Sequence, residues 1–91
     1  MIRGFLHKGL CELFETGRSG KVRADLKERI LRRLDALDQA SAPEDMNIPG
    51  FNFHALQGRP RRHSVHVNGP WCITFEFTDG DAAKLDLEQY H

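Results

Sequence analysis

The feature that most limits this chain is a change of hydrophobic period near its middle. As far as Asp38 the apolar residues recur at helical spacing, and from Phe51 onward they alternate. Leu6, Leu10, Leu13 and Phe14 fall at i, i+4, i+7 and i+8, which predicts a helix over residues 7–16 with Gly17 as its left-handed stop. Val22, Leu26, Ile30, Leu34 and Leu37 form a second apolar stripe and predict a longer helix from about Lys21 to Asp38. The segment "SAPEDMNIPG" then breaks the pattern with two prolines and a glycine. Ahead of the helices, Ile2 to Phe5 reads as a short strand.

Beyond the loop the period is two. Strands are expected around Phe53–Leu56, over "HSVHV", over "WCITFEF" and over "AAKLDLEQYH", with "NGP" and "TDGD" as hairpin signals between them. Parity then decides which side chains share a face. Odd-length loops at 68–70 and 79–81 place Val65 beside Ile73 and Phe75 beside Leu85, so that the large apolar residues lie together. Two-residue turns would bury half the polar residues instead. The helices must cover the apolar face, because nothing else in the chain can. The expected fold is α+β: two N-terminal helices packed on a small antiparallel sheet, in one domain spanning residues 1–91. The opposite face, with Ser64, His66, Cys72, Thr74, Glu76, Lys84, Asp86, Glu88 and Tyr90, is expected to be polar and open.

Charge is uneven although it sums to zero. Residues 1–33 hold nine Lys/Arg against four Asp/Glu, and residues 34–91 hold four against nine. The run from Arg18 to Arg33 and the segment "GRPRR" (Arg59, Arg61, Arg62) suggest an anionic partner, with a solvated helix face as the plainer reading of the run. No apolar stretch approaches the roughly 20 residues of a membrane span. With Cys11 and Cys72 as its two cysteines and no signal-peptide pattern, the chain reads as cytoplasmic with reduced thiols.

His63 and His66 are three apart on a strand and so face opposite ways, which argues against a metal pair. No metal and no cofactor is expected. His54, the arginines of "GRPRR" and the final Tyr90–His91 remain as candidates. Two imidazoles, a phenol and guanidinium groups suffice for RNA cleavage without a metal. One group deprotonates the 2′-hydroxyl, arginine neutralises the pentavalent phosphate, and an acid protonates the leaving 5′-oxygen. A packed, hydrogen-bonded His54 stays open as the alternative.

Taken in order, "MIRGFLHKGL", "FHALQG", "VNGPWCITFEF" and "LEQYH" resemble the HigB branch of the RelE-like toxins over essentially the whole chain. The resemblance implies a toxin of a type II toxin–antitoxin module that cleaves mRNA codons in the ribosomal A site. It also implies a HigA-type helix-turn-helix antitoxin, which neutralises the toxin and represses the operon at its operator DNA. The strand histidine of that pattern matches His54, and its terminal tyrosine and histidine match Tyr90 and His91. His54 and His91 would then handle protons, Tyr90 would position phosphate or base, and Arg59, Arg61 and Arg62 would hold RNA. Three positions depart from the pattern: Gln57 replaces a lysine, Cys72 an arginine and Gln89 an aspartate. Losing one transition-state donor can cost ~10²–10³-fold in rate. The expected function is therefore a ribosome-dependent mRNA interferase of reduced or altered activity. The alternative is a catalytically inactive relative that binds its antitoxin and acts only as co-repressor.

Overall fold

In the computed structural model, which describes residues 1–89, helix α1 (Lys8–Thr16) and helix α2 (Lys27–Gln39) precede a four-stranded sheet. The strands β1 (His54–Ala55), β2 (His63–Asn68), β3 (Trp71–Thr78) and β4 (Asp81–Gln89) lie in that order, each antiparallel to its neighbour. This is the α+β arrangement that the change of period implies. Tyr90 and His91 lie outside the described residues.

Local chemistry sets the helix limits. At the start of α1 the His7 ring accepts a hydrogen bond at Nδ1 from the Leu10 amide (3.2 Å), satisfying one orphan donor of the first turn. Gly17 closes the helix in the left-handed region at φ 78°, its amide donating to the Leu13 carbonyl. The second helix is shorter than its stripe. A 3-10 turn at Ala24–Leu26 precedes Lys27, so Val22 and Leu26 reach the core from a turn. Leu10, Leu13, Ile30, Leu34 and Leu37 pack with Val65, Ile73, Phe75, Ala82 and Leu85 into one core cluster.

The apolar alternation is kept, but by another device than odd-length loops. Both hairpins turn tightly, Asn68 pairing with Trp71 and Thr78 with Asp81, and a register shift in each restores the parity. Between His66 and Asn68 the extra residue is Val67, after which His66 pairs with Cys72 and Val65 with Ile73, as expected. Between Thr74 and Glu76, two residues of β4, Lys84 and Leu85, oppose the single Phe75. Lys84 takes φ 52°, and this bulge lets Ala82 and Leu85, three apart, both face the core. Ile2 and Phe5 bridge Ala82 and Leu85 in parallel, so the segment before α1 lines the free side of β4.

The outer face of the sheet differs from the open polar surface that alternation suggests. Ser64, Cys72 and Thr74 are buried there. Over Thr74 lies the Arg62 guanidinium, carried in by the segment that joins β1 to β2.

Candidate active site

Register places two rows of side chains across the outer face. The first runs His54, Ser64, Thr74, Asp86 and the second His66, Cys72, Glu88. Beside them opens a cleft of about 590 Å³. One wall is the β1–β2 connection, with Gln57, Gly58, Arg59, Pro60 and Arg62; the floor and opposite wall carry Glu76, Asp86 and Glu88. Leu6 and Leu56 supply its apolar edges.

The three arginines of "GRPRR" have different surroundings. Arg59 lines the cleft, is exposed and makes no ion pair among the described residues. Arg61 is also exposed and lies near enough to His63 to depress its pKa. Arg62 is half-buried and bonded through both terminal nitrogens: Nη2 donates to Thr74 Oγ1 (2.8 Å) and to the Lys84 carbonyl (3.0 Å), and Nη1 to Glu76 Oε2 (3.3 Å). Thr74 in turn donates its hydroxyl hydrogen to Glu88 Oε2. Arg62, Thr74, Glu76 and Glu88 thus form one network across the floor. Alternation alone puts Thr74, Glu76 and Glu88 on one face, but nothing in the sequence says which arginine reaches them.

His54 is exposed on β1, at the edge of the sheet. Its Nδ1 lies 3.0 Å from the Asn52 carbonyl, which can only accept, so in the neutral ring the hydrogen sits on Nδ1 and the lone pair on Nε2. That is the tautomer a proton acceptor needs, and the packed alternative for His54 does not fit its exposure. His63 is the packed histidine instead. It stacks on Phe53 (5.7 Å between centroids) and tilts on Phe75 (5.5 Å), and burial first, then Arg61, lowers its pKa.

The basic run on the helices is mostly spoken for. Lys21 pairs with Glu12, Arg23 with Asp25 and Arg32 with Glu28. Arg33 is buried, 6 % exposed, with its guanidinium carbon 4.3 Å from the centre of the Phe51 ring. It donates from Nε to the His66 carbonyl (2.6 Å) and from Nη1 to the Arg29 carbonyl (3.0 Å). This arginine holds α2 to the bulged end of β2 and does not belong to a solvated basic face.

Comparison with known proteins settles what this scaffold is. A model of the HigB-like toxins, described as RelE-like toxin of type II toxin-antitoxin system HigB, matches residues 3–91. The chain belongs to the HigB-like toxin family. It is 42 % identical over 92 residues to a Proteus vulgaris protein named Endoribonuclease HigB, with both chains covered in full. It is 28 % identical over 89 residues to Toxin HigB-1 of Vibrio cholerae serotype O1, with 94 % of each covered. Membership of a type II toxin–antitoxin family implies an antitoxin as partner. Among the described residues of this HigB-like chain, no helix is long and apolar enough to cross a membrane.

The resemblance read from the sequence motifs is thus the family. Of the site residues it implies, Arg59 and Arg62 meet at the cleft, and His54 opens the row that ends at Asp86 in it. Arg61 does not line the cleft. Of the three departures, Gln57 lines the cleft, Cys72 lies buried opposite Glu88, and Gln89 is exposed opposite Trp71.

Proposed function

We propose that this HigB-like chain is an endoribonuclease that cuts mRNA on the ribosome, with an activity below the usual one. The observation that carries the reading is the cleft itself, where guanidinium groups from one loop face carboxylates across a strand row that begins with an exposed histidine in its basic tautomer. The name of the Proteus vulgaris relative agrees with it.

His54 Nε2 accepts the 2′-hydroxyl proton. The 2′-oxygen then attacks the adjacent phosphorus, the bond to the 5′-oxygen breaks, and His91 returns a proton to that leaving oxygen. The products carry a 2′,3′-cyclic phosphate and a 5′-hydroxyl. Arg59 and Arg62 neutralise the pentavalent phosphate, Tyr90 orients it or the base, and Arg61 adds longer-range attraction for RNA. The reduced rate has a physical basis. Gln57 and Cys72 bring no cation, and Glu76, Asp86 and Glu88 set three carboxylates against the two arginines of the cleft. The partner is a HigA-type helix-turn-helix antitoxin that carries the toxin to operator DNA.

The test is expression of the chain without its antitoxin. The expected result is slowed growth, loss of ribosome-bound message and cleavage products with the two ends named above. Intact message at high expression refutes the nuclease and leaves a protein that acts only through its antitoxin.

A further inference from the structure

The geometry points to Arg62 as a phosphate anchor whose Nη1 is occupied at rest by Glu76, an internal carboxylate that stands in for the substrate phosphate and holds the toxin back. This inference rests on the nuclease reading and says what regulates that same site.

The two terminal nitrogens of the guanidinium are used differently. Both hydrogens of Nη2 are committed to groups that are part of the sheet, the Thr74 hydroxyl at 2.8 Å and the Lys84 carbonyl at 3.0 Å. Those bonds fix the plane and the position of the fork. Nη1 makes one contact among the described residues, donating to Glu76 Oε2 at 3.3 Å, and both side chains line the cleft. A guanidinium has five donor hydrogens, so two of the five make no hydrogen bond among the described residues. A guanidinium pinned through Nη2 and holding one carboxylate on Nη1 can exchange that carboxylate for a phosphate oxygen without moving.

Glu76 suits the role of competitor. Its side chain is 17 % exposed against 21 % for Arg62, so the pair is screened less than a surface ion pair. It also has a second cation to fall back on, because Lys84 Nζ lies 3.9 Å from the same Oε2. A phosphate oxygen that takes Nη1 of Arg62 leaves Glu76 with Lys84, and no carboxylate is stranded. The Lys84 bulge matters twice here, since its carbonyl anchors Arg62 and its ammonium receives Glu76. The exchange forms and breaks only ion pairs and hydrogen bonds.

The experiment is a double-mutant cycle on the full chain. Binding of a short RNA with 2′-O-methyl groups, which cannot be cleaved, is followed by fluorescence anisotropy at low salt, and cleavage on programmed ribosomes is measured alongside. Glu76→Gln keeps the size and hydrogen-bonding capacity and removes the charge. It is expected to tighten RNA binding about tenfold and to raise cleavage. Arg62→Lys, which keeps a charge but not the fork, is expected to bind more weakly than wild type and to abolish most of the gain when combined with Glu76→Gln. Asp86→Asn removes a cleft carboxylate that makes no contact with Arg62 and is expected to give a much smaller gain. If Glu76→Gln tightens binding equally in the wild-type and Arg62→Lys backgrounds, or no more than Asp86→Asn does, the competitor role is wrong and the effect is general charge. If the wild type cleaves message while Glu76→Gln changes neither readout, this inference falls and the nuclease reading stands. If no variant binds RNA and the wild type cleaves nothing, both fall together.

Discussion

Arg33→Met should unfold this protein more easily without touching its chemistry. The methionine replaces the aliphatic stem and removes the guanidinium. The bond to the His66 carbonyl, at 2.6 Å, is charge-assisted and shielded from water, worth about 1.5–3 kcal/mol. The stacking on Phe51 at 4.3 Å adds roughly 1 kcal/mol. The Arg29 carbonyl is four residues back in the same helix and keeps its helical partner, and the Gly50 carbonyl at 3.5 Å is at the limit of a hydrogen bond, so neither adds much. The expected loss is about 2–4 kcal/mol, which in a domain of this size lowers the melting temperature by roughly 10–25 °C. Arg33→Glu, which buries a carboxylate against carbonyl oxygens, should not fold at all. Arg32→Glu is the control: its side chain is 65 % exposed and paired only with the more exposed Glu28, and it should melt within a few degrees of wild type. Urea titration followed by circular dichroism gives the numbers. A midpoint for Arg33→Met equal to that of wild type, together with a loss of affinity for ribosomes, would refute the buried role and return Arg33 to a basic recognition surface.

His63 makes stability depend on pH. Burial lowers its pKa below the ordinary 6.5, so between the two values the unfolded chain binds a proton that the folded one does not. Stability should therefore be level above about pH 6.5 and fall as pH drops through that window, and melts of His63→Phe across the same range should be flatter. Gly9→Ala should cost about 1–3 kcal/mol by overpacking, because a Cβ there would sit 2.9 Å from Lys21 Cβ and 2.7 Å from the capping His7 ring; an unchanged melt would show that the start of α1 gives way freely. Cys72→Arg should raise single-turnover cleavage on ribosomes by ~10-fold or more, since a preorganised cation at the phosphate is worth a few kcal/mol. Its partner across the strands is Glu88, so an unchanged rate would mean that the new arginine pairs there and never reaches RNA.

The fold was legible where the signal is periodic. Leu10, Leu13, Ile30, Leu34 and Leu37 repeat at helical spacing and are buried, and Val65 faces Ile73 as the alternation demands. What stayed hidden depends on non-periodic events. A two-residue turn compensated by a bulge gives the same parity as a three-residue turn, so facing residues cannot separate them. Lysine is not a residue that favours positive φ, and nothing in "AAKLDL" announces that Lys84 adopts 52°. Charge misled for a related reason. Arg33 sits beside the apolar stripe of α2, and only the carbonyls that converge on it from β2 and the loop explain its burial. The place of His54 on the first strand was readable from the alternation, whereas the engagement of Arg62 and not Arg59 or Arg61 depends on the path of the connecting loop.

The position of β4 bears on how the protein is made. One side of this strand pairs with β3 and the other with residues 1–6, the Arg3 amide bonding the Ala82 carbonyl at 2.7 Å across nearly the full length of the chain. Synthesis runs from the other end, so the first segment waits, unpaired, for a strand that is translated after both helices and the other three strands. The charges arrive in a matching sequence. Residues 1–62 contain twelve Lys/Arg and eight Asp/Glu, and residues 63–91 add one of the former and five of the latter. A growing chain is thus a cation without a finished sheet, carrying its arginines before the carboxylates of the cleft. Translation that stops short of Asp81 leaves β3 with a bare edge and the core without Ala82 and Leu85. A message cut before that point therefore encodes a fragment that cannot close this core.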